Sequence, residues 1–133
     1  MIVGAPADLS WNTDVQSKIV GTGLISGSVD VFDASLGTPT LSQLQAYDAV
    51  LFYSDTGFAD RDTLGNNLAD YVDGGGGVVE ATFAFWDSSG GGIAIGGRWR
   101  SDGYDIWTPG FQDSPSLTFS GTTMTPAIQF SMA

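Results

Sequence analysis

Glu80 is the only glutamate in the chain, and it stands inside an apolar run, Val78-Val79-Glu80-Ala81-Thr82-Phe83. A carboxyl group in such surroundings keeps its proton to unusually high pH unless arginine or several donors meet it. It is therefore a candidate general acid or base, or a ligand anchor, and equally a structural partner for Arg98 or Arg100. Thr82 shares its strand face, but a hydroxyl without a neighbouring base is a poor nucleophile. A second group, Asp55, Asp60 and Asp62, offers oxygen ligands of the kind Ca²⁺ or Mg²⁺ takes. The spacing is not that of an EF-hand loop, and aspartate ahead of a helix more commonly caps free N–H groups, so no metal is expected. A third group, Arg98-Trp99-Arg100 with Trp86, Tyr104 and Trp107, joins apolar ring faces to planar hydrogen-bonding groups. That combination suits a neutral sugar, a loop pinned to the body of the protein, or an interface. The glycines at 90–92 and 96–97 come without a lysine or Walker spacing, which argues against a nucleotide site.

The composition excludes several classes of chemistry. Among 133 residues there is no cysteine and no histidine, so thiol catalysis, thiolate metal sites, disulfides and imidazole bases are absent. Fifteen acidic side chains face four basic ones, for a net charge of −11, and fourteen of the acids are aspartate. Phosphate binding needs a basic stripe, so neither nucleic acid nor an anionic membrane surface is an expected partner. No apolar run is long enough to span a bilayer. The opening residues lack a basic flank and a long apolar stretch, which argues against a signal peptide at this point of the chain. A soluble protein is expected, either cytoplasmic or secreted after loss of a leader. At this length one domain accounts for the whole chain, burying roughly two thirds of its unfolded surface.

The elements that must position these groups are legible in outline. Residues 47–83 read as strand, aspartate-rich loop, amphipathic helix, glycine turn and strand, which is one βαβ unit of a parallel sheet. Parallel sheets present ligands at the carboxyl ends of their strands. Ahead of this unit, Ile2 to Ala5 suits a first strand, and Ser10 suits the N-cap of a helix carrying Trp11, Val15 and Ile19 on one stripe. Gly21 and Gly23 would stop that helix. Ser28 to Asp33 reads as a second strand near an edge, and Thr40 as the cap of a short helix holding Leu41 and Leu44. Asp48 to Ser54 is a strand covered on both faces. Asp60 or Asp62 caps a helix with Leu64, Leu68 and Val72 at helical spacing, and 78–83 forms the fourth strand. After Ala84 the chain is irregular and rich in Gly and Trp, with short strand candidates at 117–119 and 127–130.

The order of these pieces resembles the class I glutamine amidotransferase-like superfamily, in particular its bacterial members of unassigned function. The resemblance rests on Asp14-Val15-Gln16-Ser17-Lys18, Ser28 to Asp33, Gly37-Thr38-Pro39-Thr40, Tyr47 to Leu51, and Asp70-Tyr71-Val72-Asp73 running into Gly74 to Val79. It covers about Gly4 to Gly110. It implies a flavodoxin-like α/β fold: a parallel sheet of about four strands in the order 2-1-3-4, with helices on both faces and an irregular carboxyl-terminal region. Catalytic members carry a cysteine in a nucleophile elbow. Laid on that pattern, Thr82 falls at the cysteine, and no histidine or later glutamate completes the set, so amidotransferase chemistry is not expected.

The expectation is thus a single domain, with a βαβ core over 1–83 and a loop and tail over 84–133, acting as a non-catalytic binding or assembly module without a cofactor. A four-stranded sheet leaves the 78–83 strand as an open edge, which points to a homodimer unless the tail covers it. The alternative is a carboxylate-dependent enzyme or binder acting on a carbohydrate-like neutral ligand, with Glu80 and Asp55 as the catalytic pair. A small ligand would sit near Asp8, Ser54, Asp55, Glu80 and Thr82, walled by the loop that carries Trp86, Arg98 and Trp99.

Overall fold

A computed structural model describes residues 1–81, 83–86 and 92–105. In chain order the elements are β1 (Ile2–Ala5), α1 (Ser10–Gly21), β2 (Val31–Asp33), α2 (Leu41–Leu44), β3 (Ala49–Ser54), α3 (Arg61–Asp73), β4 (Gly77–Glu80) and α4 (Gly97–Ser101). The four strands form one all-parallel sheet in the order β2-β1-β3-β4. This is the expected α/β architecture, with helices on both faces.

The register decides what each face contains. Val3 lies opposite Phe52 and Phe52 opposite Glu80, while Val50 lies opposite Val78. Period-two alternation therefore puts Val3, Ala5, Val50, Phe52, Val78 and Glu80 on one face. That face meets Leu44 of α2, Leu64, Leu68 and Tyr71 of α3, and Trp99 of α4, which together make the main core. Each large side chain fully buried there contributes about 1.5–3 kcal/mol. The other face carries Ile2, Gly4, Leu51, Tyr53 and Val79 and meets α1, which packs over β1 and β2. There Tyr53 donates its hydroxyl hydrogen to Asn12 Oδ1 at 2.5 Å, and a Cβ on Gly4 would fall 2.0 Å from that same oxygen.

Local signals explain most element ends. Thr40 caps α2 in a reciprocal box with Gln43, and Asp60 caps α3 by accepting from Thr63 N–H at 2.9 Å. At α1 the cap differs from expectation. Ser10 is already helical, and Asp8 accepts from its N–H at 2.9 Å instead. The stripe on α1 is also wetter than expected: Trp11 is 46% exposed, while the buried position is Asn12. β2 begins at Val31 rather than Ser28, and β4 spans 77–80 rather than 78–83. After Glu80, Ala81 and Phe83 still donate to Phe52 and Ser54 carbonyls, but residues 83–85 form a turn. The strand candidates at 117–119 and 127–130 lie outside the described residues.

The short helix α4 went unanticipated. It is held by tertiary contact, above all at Gly65 on α3, where an added Cβ would stand 2.0 Å from the Gly96 carbonyl oxygen. That backbone atom cannot move aside as a side chain would. Replacing Gly65 by Ala should therefore cost about 1–3 kcal/mol in urea denaturation, overriding the better helix propensity of alanine. Gly21→Ala is the control: its Cβ meets nothing within 4 Å at the end of α1, and a gain of about 0.4–1 kcal/mol is expected.

Candidate functional site

β4 delivers Glu80 to the inner face of the sheet edge, and α4 closes over it. Trp99, 4% exposed, crosses Phe52 edge-on with ring centroids 5.3 Å apart and stacks on Tyr104 at 5.5 Å. Its indole N–H donates to Glu80 Oε2 at 3.2 Å. Arg100 donates through Nε to Asp105 Oδ2 at 3.1 Å, and through Nη2 to the Trp86 carbonyl. The side chains of Arg100 and Asp105 are 16% and 4% exposed, so this ion pair is largely withdrawn from water. Among the described residues, three atoms of the cluster are buried without a hydrogen-bond partner: Glu80 Oε1, Asp105 Oδ1 and Arg100 Nη1.

Burial is the main force on the Glu80 carboxyl and pushes its pKa up to about 7. The Trp99 N–H opposes that shift by stabilising the charged form, as does the positive charge of Arg100, while the neighbouring Asp105 carboxylate reinforces it. Two acids thus stand near one guanidinium, which is bonded to only one of them. Arg100 is committed to Asp105, and Glu80 keeps its proton instead of forming the ion pair with Arg98 or Arg100 that the sequence suggested.

Arg98 belongs to a different structure. Its side chain is 38% exposed and gathers Asp70, Asp73 and Asp102, while its backbone N–H donates to Asn66 at 2.8 Å. Beside it, Gly97 N–H donates to Asp62 Oδ1 at 2.9 Å. Tyr104 adds a 2.5 Å hydrogen bond to Asp73. This hub ties α4 to the outer side of α3, and exposed pairs of this kind contribute little apiece.

The other expected ligand residues disperse. Ser54 is buried, and its hydroxyl donates to the Ile93 carbonyl at 2.6 Å, pinning the 92–95 segment to the end of β3. Asp8 accepts from Ser10 N–H just ahead of α1, Asp60 caps α3 and Asp62 holds α4. Asp55 is half-buried at the end of β3 and is not among the groups that set the charge state of Glu80. The carboxyl group that acts on Glu80 is that of Asp105. Thr82 and Trp107 lie outside the described residues. Trp86 leans on Phe83 and presents its carbonyl, not its ring, to Arg100. Among the described residues no group of three carboxylates is placed to hold a metal ion. Asp105 escaped the sequence reading because it sits five residues beyond Arg100, a separation with no regular-structure meaning.

A groove of about 500 Å³ lies elsewhere, on the α1 face near the amino ends of β1 and β3. Ile19, Leu24, Ile25, Tyr47, Leu51 and Val79 line it, and Glu80 does not reach it. Among the described residues, no helix is long and apolar enough to cross a membrane. Comparison of the chain with protein-family models, with curated proteins and with solved structures found no match.

A pH dependence of stability follows. The folded pKa of Glu80 is raised, so its favourable contribution is complete below about 4.5 and is lost as pH rises to about 7. The loss amounts to about 2–3 kcal/mol. Asp60, Asp73 and Asp102 carry lowered pKa values from hydrogen bonds to Thr63, Tyr104 and Ser101, and act only at lower pH. Urea denaturation from pH 5 to 8 should show wild-type stability falling, while Glu80→Gln loses that fall and keeps only the opposing rise that the lowered pKa of the half-buried Met1 amino group contributes.

Proposed function

We propose that this chain is a non-catalytic α/β binding or assembly module, built on an amidotransferase-like framework, that associates as a homodimer. The observation that carries the reading is the enclosure of Glu80 beneath Trp99, beside an Arg100–Asp105 ion pair. A general acid must reach its substrate within hydrogen-bonding distance, directly or through one water. Here the titratable group with the raised pKa is covered by an aromatic ring, and the described groove lies on the opposite face of the sheet. The lack of cysteine and histidine supports the same conclusion from the sequence.

One observation favours the competing reading, a carboxylate-dependent enzyme acting on a neutral ligand. Glu80 carries a raised pKa and lies beside a second carboxyl group, that of Asp105, as an acid–base pair would require. Burial against Arg100 accounts for that pair without a substrate, so the module is the better reading.

Self-association is supported by the edge of the sheet. Gly77 and Ala81 N–H groups donate to β3, which turns the N–H and C=O groups of Val78 and Glu80 outward. Among the described residues this edge is unpaired, and Val79 beside it is 57% exposed. β4 contains neither lysine nor proline to blunt such an edge. A two-fold axis there would join two copies antiparallel through β4. Light scattering at micromolar concentration should give twice the 13.9 kDa chain mass, and Val79→Lys should return the monomer. A monomer mass for the wild type would remove the dimer from the proposal and leave a module that binds something else.

A further inference from the structure

α4 closes over β4 on a cluster whose net charge a single proton changes. Glu80, Asp105 and Arg100 form a partly buried set, and Trp99 and the Trp86 carbonyl complete its walls. Among the described residues, Asp105 and Arg100 are the charged groups that act on Glu80. β3 contributes Phe52, opposite Glu80, and α3 contributes Leu64, Leu68 and Tyr71 to the same core. The acids of α3, Asp62, Asp70 and Asp73, are turned outward to Gly97 and Arg98. With one proton shared between the carboxyl groups the set is neutral; without it, a net negative charge is held largely out of water. The Asp105 carboxyl is close enough to Glu80 to act on its proton, and one oxygen of each acid is without another partner among the described residues.

We propose that the Glu80–Asp105–Arg100 cluster is a proton-operated latch, which holds the stretch from Trp99 to Asp105 down on β4 when the carboxyl groups share a proton and loosens it when both are ionised. The amino end of α4 stays in place in either state. Gly97 and Arg98 N–H are bonded to Asp62 and Asn66 on α3, outside the cluster. The movable part is the carboxyl end, where Asp102 N–H donates to Arg98 O and Tyr104 N–H to Trp99 O, each at 2.9 Å. The midpoint of the change falls at about 7, the pH at which Glu80 ionises. This device does not depend on whether the chain self-associates.

Amide hydrogen exchange of the full chain, corrected for intrinsic rate, tests it between pH 6 and pH 8. Protection of Asp102 and Tyr104 should fall roughly tenfold over that range, while amides in the middle of α3 hold theirs. In Glu80→Gln the same two amides should show no pH dependence. Asp105→Asn removes one negative neighbour of Glu80, so the midpoint should move to lower pH. PH-independent protection of Asp102 and Tyr104 in the wild type would overturn the latch. So would a loss spread evenly over α3 and α4, since that is global destabilisation and not local release. The wild-type measurement decides the matter even if a variant fails to fold.

Discussion

A carboxyl group on the inner face of an edge strand sets terms that the carboxyl-terminal half of the structure has to meet. A buried ionised carboxylate costs several kcal/mol unless it is paired, so Glu80 must be neutralised, partnered or exposed. The chain does the first two in part: it leaves the proton on Glu80 and turns the Trp99 indole toward it. The position of Trp99 then fixes α4 against Phe52, and α4 brings Arg100 and Asp105 to the same place. The close approach of Gly65 to Gly96 makes that position sterically available, because any side chain there would hold α4 away from α3.

The two arginines of Arg98-Trp99-Arg100 show how one short helix serves two surfaces. Successive residues of a helix point about 100° apart, so Trp99 enters the core while its neighbours flank it. Arg98 stays in water among three aspartates, where its ion pairs are screened and individually weak. Arg100 goes inward and is almost dry, where losing either partner would leave an uncompensated charge. The same residue type at a two-residue separation thus has a different energetic meaning, decided by burial.

How much of this was legible in the sequence depended on how local the cause is. β1, the caps at Thr40 and Asp60 and the leucines of α3 follow from residue type and spacing within a few positions. The strand order 2-1-3-4 followed from the resemblance of the element order, and it is the order found. α4 was not legible, because five residues beginning with glycine have neither period nor side-chain cap, and contacts with α3 hold them. The exceptional character of Glu80 was legible from its apolar neighbours, but its surroundings were not. Asp55 is the acid near the strand ends, and the sequence offered it as the second carboxylate. Asp105 reaches Glu80 through a fold-back that no local pattern encodes. Likewise Ser54, Asp8 and Asp62, which look like ligand groups at strand ends, are used to tie loops and helix starts.

The most direct test of the account reads Glu80 itself. Because it is the only glutamate in the chain, selective ¹³Cδ-glutamate labelling gives one side-chain carboxyl resonance to follow by NMR as pH is varied. Burial beneath Trp99 beside Asp105 predicts a titration midpoint of about 7. A midpoint near 4.5, the ordinary value for a glutamate, would mean that the carboxyl is solvated or fully paired, and would contradict the enclosed cluster on which the account rests.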